Sequence, residues 1–143
     1  MNKWITRCVT AFCYLLMVDI AVASWVKLSE EQLLEFPIII YGEYMGTSLI
    51  KAGKYSPLTN LGVISTSFVL KGAKNQRLHF IKSHDLNTPI SSDMLFFEPG
   101  QKGIWFLQPV KNSQGLYQIN HPSQYQYITE KNNELERWKN LLK

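Results

Sequence analysis

The amino-acid sequence predicts a mainly β domain: a small five-stranded barrel with one helix before it and one after it. Three observations carry that expectation. Short apolar runs rich in isoleucine, valine and aromatic residues recur between residues 37 and 120, each bounded by glycine, proline or polar turn formers. A long turn-rich segment follows the first of these runs, and helical periodicity appears only at the two ends of the stretch. A length of 143 residues suits one domain. A composition of 45% hydrophobic and 18% charged residues excludes disordered, collagen-like and disulfide-rich miniprotein classes.

The chain opens on a targeting segment. Lys3 and Arg7 form a basic start, residues 8–18 (CVTAFCYLLMV) are uncharged and mostly apolar, and Ala21-Val22-Ala23 supplies small residues at −3 and −1. This order describes a secretory signal peptide over residues 1–23, cleaved between Ala23 and Ser24. The competing reading is an uncleaved anchor over residues 8–26, a length within reach of a spanning helix, with Asp19 near its outer end. Thr10-Ala11-Phe12 before Cys13 does not make a lipobox. After cleavage the single domain is residues 24–143. It loses Lys3, Arg7, Asp19 and both cysteines, Cys8 and Cys13, and keeps 13 basic and 10 acidic side chains. The product is expected in the periplasm or outside the cell, without thiol or disulfide chemistry. It touches a membrane only through the leader, as an anchored protein, if the leader is retained.

Ser29-Glu30-Glu31-Gln32 reads as a capping box, with Leu28 and Leu33 as the hydrophobic staple and two glutamates at the positive end of the helix dipole. Pro37 stops this helix, placed at residues 29–35. Residues 37–45 (PIIIYGEYM) read as a strand buried in part on both faces, with Gly42 suited to a sharp bend. Residues 46–60 read as a long loop, with a short extended piece at 48–50. Residues 61–70 (LGVISTSFVL) alternate cleanly, residues 77–82 (RLHFIK) form a partner strand after a turn, and residues 83–100 are irregular with an apolar patch at 94–97. Residues 103–108 (GIWFLQ) and 116–120 (LYQIN) make a hairpin across Asn112-Ser113-Gln114-Gly115. Leu135, Trp138 and Leu142 then stripe a helix over residues 130–142, with Thr129 as its cap.

Five short strands with a long first loop point to an OB-like barrel. The order of motifs resembles exported bacterial proteins of the netrin/tissue-inhibitor-of-metalloproteinases-like OB type. A strand like IIIYGEY precedes one ending in Val69-Leu70-Lys71-Gly72, followed by a WFL-type strand at residues 103–107 and Gly115-Leu116-Tyr117. The resemblance spans residues 28–120. Such inhibitors use an amino-terminal cysteine to ligate the protease zinc, whereas the expected start here is Ser24-Trp25-Val26 with no cysteine after it. The resemblance therefore implies the fold and not metalloprotease inhibition.

No catalytic, metal or cofactor motif emerges. His79, His84 and Asp85 lack a strong ligand spacing, His121 is remote, and GxSxG, P-loop and dinucleotide fingerprints are absent from the sequence. A non-enzymatic chain is the expectation. Charge gives the one functional lead: residues 44–84 hold no acid but carry Lys51, Lys54, Lys71, Lys74, Arg77 and Lys82. Lys51, Lys54, Lys71, Lys74 and Arg77 are the expected surface for an anion or an acidic partner protein. Strand-flanking lysines also serve to keep sheet edges soluble, which is the competing reading of the same residues. Export makes nucleic acid an unexpected ligand and leaves an anionic envelope component. The alternative is an inhibitor or accessory protein contacting an extracytoplasmic enzyme.

Overall fold

A computed structural model describes residues 25–51, 54, 58–83, 95–129 and 133–143. The expected leader at residues 1–23, the cleavage pair Ala23 and Ser24, and Tyr55, His84, Asp85 and Met94 lie outside the described residues.

The first helix, α1 (Glu30–Leu34), forms as its cap dictates: the Ser29 hydroxyl accepts from the Gln32 N–H at 3.3 Å, and the Gln32 side chain accepts from the Ser29 N–H at 2.9 Å. Six strands follow: β1 (Ile38–Lys51), β2 (Leu58–Lys71), β3 (Leu78–Lys82), β4 (Lys102–Pro109), β5 (Leu116–Gln118) and β6 (Tyr125–Tyr127); α2 (Glu134–Leu141) closes the chain. They make one sheet in the order β1-β2-β3-β5-β4-β6, and a further β1–β4 pairing joins β1, β2, β3, β5 and β4 into a ring of five strands. All pairings are antiparallel except β3 with β5.

The ring has apolar contacts on both faces, which explains why residues 38–41 and 104–107 read as continuous apolar runs. Inside it, Ile40, Tyr44, Ile64, Ile81, Trp105, Leu107 and Tyr117 form one buried cluster. Outside, Ile39, Ile104 and Phe106 pack against Leu33 of α1 and Trp138 of α2, with Leu135 and Leu142 alongside. Adjacent residues of β4 thus serve opposite cores, and Trp105, Phe106 and Leu107 are all fully buried. The expected α2 stripe lies against the ring, where the Trp138 and Phe106 rings meet edge-on at 5.0 Å. Arg137 pairs with Glu30, tying the two helices together.

Three expectations need correction. The expected five strands become six, because Tyr125–Tyr127 add to β4 opposite residues 103–105. A Cβ on Gly103 would collide with the Gln126 carbonyl, so glycine there admits the sixth strand. The expected loop at residues 46–60 is mostly strand: Gly46 takes a φ of +105° at a bulge, and the β1–β2 ladder resumes beyond it. The closing helix starts at Glu134 with Asn133, not Thr129, at its cap position, and the Asn133 side chain makes no cap hydrogen bond; residues 130–132 of the expected helix lie outside the described residues.

Candidate binding surface

Lengthening β1 and β2 changes the shape of the molecule. The ladder of β1 with β4 ends at Glu43 and Lys102, and two further hydrogen bonds continue it: the Tyr44 N–H donates to the Gln101 carbonyl at 2.9 Å and the Gly100 N–H to the Tyr44 carbonyl at 2.8 Å. From Met45 to Lys51, β1 pairs with β2 alone among the described residues. Among these residues the hairpin therefore runs past the ring as a two-stranded ribbon. Its root is anchored by aromatics. Phe97 meets the Trp105, Tyr44 and Tyr125 rings at 4.9, 5.8 and 5.6 Å, and the Trp105 indole N–H donates to the Gly42 carbonyl at 3.0 Å.

The register sets which backbone groups of the ribbon stay open. The Thr66 N–H donates to the Arg77 carbonyl at 2.8 Å, so Thr66 and, by alternation, Ile64 and Gly62 face β3. The intervening residues Val63, Leu61 and Thr59 face β1, opposite Gly46, Ser48 and Ile50. Thr47, Leu49 and Lys51 consequently turn their N–H and C=O groups towards the outer edge. Met45 and Leu49 are exposed apolar side chains on this segment, the latter 65% accessible.

The fold divides the basic block. Lys51 pairs with Leu58 at the free end of the ribbon, with Lys54 exposed in the connection just beyond. Lys71 pairs with Ile39 at the other end, twelve strand positions away or about 40 Å at the usual rise. Its ammonium donates to the Leu34 carbonyl at 2.7 Å and so holds the C-terminal end of α1. Lys74 and Arg77 are exposed near that same end, in and after the β2–β3 turn, and Lys82 ends β3 opposite Leu61. Lys51, Lys54, Lys71, Lys74 and Arg77 thus do not converge: the first two stand at one pole, the last three at the other. Lys51, Lys74, Arg77 and Lys82 form no ion pair with a described residue.

The described histidines are taken up by the fold. His79 is 1% exposed, its Nδ1 lies 2.7 Å from the Thr66 hydroxyl, and burial lowers its pKa, favouring the neutral ring. His121 Nδ1 accepts from the Ser123 N–H at 3.0 Å, and its ring meets Trp25 edge-on at 5.0 Å. Among the described residues no group of three histidine, cysteine or acidic side chains could hold a metal ion. No helix there is long and apolar enough to cross a membrane.

Sequence reasoning missed Thr47 and Leu49 as surface residues because Gly46-Thr47-Ser48 has turn composition. The contrary signal was Leu49-Ile50, two strand-compatible residues in a stretch read as loop. No family model, curated protein or solved structure matches the chain.

Proposed function

We propose that the chain is an exported, non-enzymatic binding module that takes an anionic envelope ligand at the free end of the β1–β2 hairpin. The observation that carries the proposal is the projection of that hairpin beyond the ring, with Lys51 and Lys54 at its end and no acid between Glu43 and Asp85 in the sequence. Charge of one sign on a protruding element attracts an anion from a distance, and salt screens the attraction.

The reading treats the ring as an OB-like barrel of the netrin/tissue-inhibitor-like type. It is supported by the strand order around the ring and by the single parallel pairing of β3 with β5. OB-folds commonly bind through strands two and three and the loop between strands one and two, and the latter is where Lys51 and Lys54 lie. A second reading, an accessory or inhibitory protein that contacts an extracytoplasmic enzyme, draws on the exposed Met45 and Leu49 beside the same lysines.

The test uses the natively processed protein and isolated envelope fractions at low and high salt. Lys51→Glu with Lys54→Glu should abolish salt-sensitive binding, while Lys74→Glu with Arg77→Glu should leave most of it. Binding that survives the first pair unchanged overturns the proposal.

A further inference from the structure

We infer that the outer edge of β1 at Thr47, Leu49 and Lys51 accepts an extended acidic polypeptide as an added strand. The inference rests on the proposed function in that it uses the same hairpin, and it narrows the anionic ligand to a polypeptide in extended form.

Three features carry it. The first is the backbone. Thr47, Leu49 and Lys51 present their N–H and C=O groups outward, and no described residue pairs with them. An open edge of this kind is a template for another chain, and proteins usually blunt it with proline, inward-pointing charge or a covering element. Residues 45–51 contain no proline, and their one charge, Lys51, is at the far end.

The second feature is continuity. The edge extends the line along which β1 pairs with β4 and then with Gly100 and Gln101, so an added strand would prolong a ladder that already exists. Main-chain hydrogen bonds supply affinity in such additions and alternate side chains supply selectivity.

The third is charge. Lys51 lies on the edge itself and Lys54 follows it, while Glu43, the nearest acid before the edge, is paired with Lys102 at 3.4 Å. A segment with carboxylates towards the hairpin end meets Lys51, which forms no ion pair with a described residue. A second copy of this chain would bring the same lysines and no acid of its own edge, so it is the less complementary occupant.

Proline offers a selective probe. Leu49→Pro deletes an outward N–H while leaving the bonds of Ser48 and Ile50 to β2 intact, which is the edge position where a strand tolerates proline. The probe ligand is a short fluorescent peptide alternating valine and glutamate, compared with the same peptide N-methylated at alternate amides. Strand addition requires the wild-type protein to bind the unmodified peptide about tenfold more tightly than the methylated one, and Leu49→Pro to weaken the unmodified peptide similarly. Equal affinity for the two peptides overturns strand addition, and needs no variant to fold. If binding is then still lost in Lys51→Glu with Lys54→Glu, the anion-binding reading stands without it. If neither peptide binds and the envelope ligand is also indifferent to that charge reversal, both readings fail together.

Discussion

The Gln124 carboxamide donates to the Phe106 carbonyl at 2.8 Å, and its oxygen accepts from the backbone N–H groups of Asn120 and His121 at 2.8 and 2.9 Å. One buried side chain thereby satisfies three backbone groups and fixes the segment between β5 and β6 to β4. Gln124→Ala removes all three bonds at a site only 2% exposed. The Phe106 carbonyl is orphaned in the interior, which costs about 1–3 kcal/mol, while the part-buried N–H groups of Asn120 and His121 can reach water; a loss of about 1–3 kcal/mol is expected from urea unfolding. A loss within about 0.5 kcal/mol, the range of surface substitutions, would mean that water replaces the amide without cost.

Trp138 anchors α2. Its ring is buried against Phe106 and its indole N–H donates to the Gln126 side chain at 3.0 Å. Trp138→Ala should destabilise by about 3–5 kcal/mol, as large core truncations do. Leu141→Ala, on the exposed side of the same helix, should cost less than about 0.5 kcal/mol. Similar effects for the two variants would contradict docking of the helix through its apolar stripe.

Gly103→Ala tests the sixth strand. The added methyl would strike the Gln126 carbonyl and the Tyr125 ring, so β6 must shift and take the Trp138 partner with it. Destabilisation on the order of 1–3 kcal/mol is expected, with faster amide exchange in residues 125–127. Unchanged exchange there would show that β6 and β4 tolerate a larger spacing than the present packing allows.

His79 makes stability depend on pH. Burial lowers its pKa below the ordinary value of 6.5, so the unfolded chain binds a proton that the folded chain resists. The associated stability is complete above 6.5 and is lost as pH falls through that value towards the lowered one. Urea midpoints measured across this range should fall on acidification. They should fall less steeply in His79→Gln, which retains a partner for the Thr66 hydroxyl. Glu31, whose backbone and Ser29 hydrogen bonds lower its pKa, acts only below its ordinary 4.5 and does not confuse the window. Parallel curves for the two proteins would remove His79 as the cause.

Several of these features were legible in the sequence because their causes are local. Ser29 and Gln32 are three residues apart and cap each other whatever surrounds them; the alternation of residues 61–70 needs only the strand itself. Leu135, Trp138 and Leu142 mark a helix face by spacing alone. What escaped depended on partners distant in sequence. The bulge at Gly46 becomes a continuation of β1 only because β2 is present to pair with Ser48 and Ile50. Tyr125–Tyr127 is too short to announce itself without the Gly103 gap. The basic block was visible as a run without acids, but its division was not. Contiguous charge becomes two poles once β2 runs back antiparallel along the full length of β1 from Leu58 to Lys71, and Lys71 then turns from a surface cation into a tie for α1.

The proposed role of the hairpin is tested most directly by residue-resolved amide exchange with and without soluble polyglutamate. Without it, Gly46, Ser48 and Ile50 should exchange slowly and Thr47, Leu49 and Lys51 at near-unprotected rates. Addition of polyglutamate should slow those three amides specifically, and high salt should reverse the effect. Uniform protection along residues 46–51 before addition, or slowing confined to the Lys74 and Arg77 pole, would contradict the account.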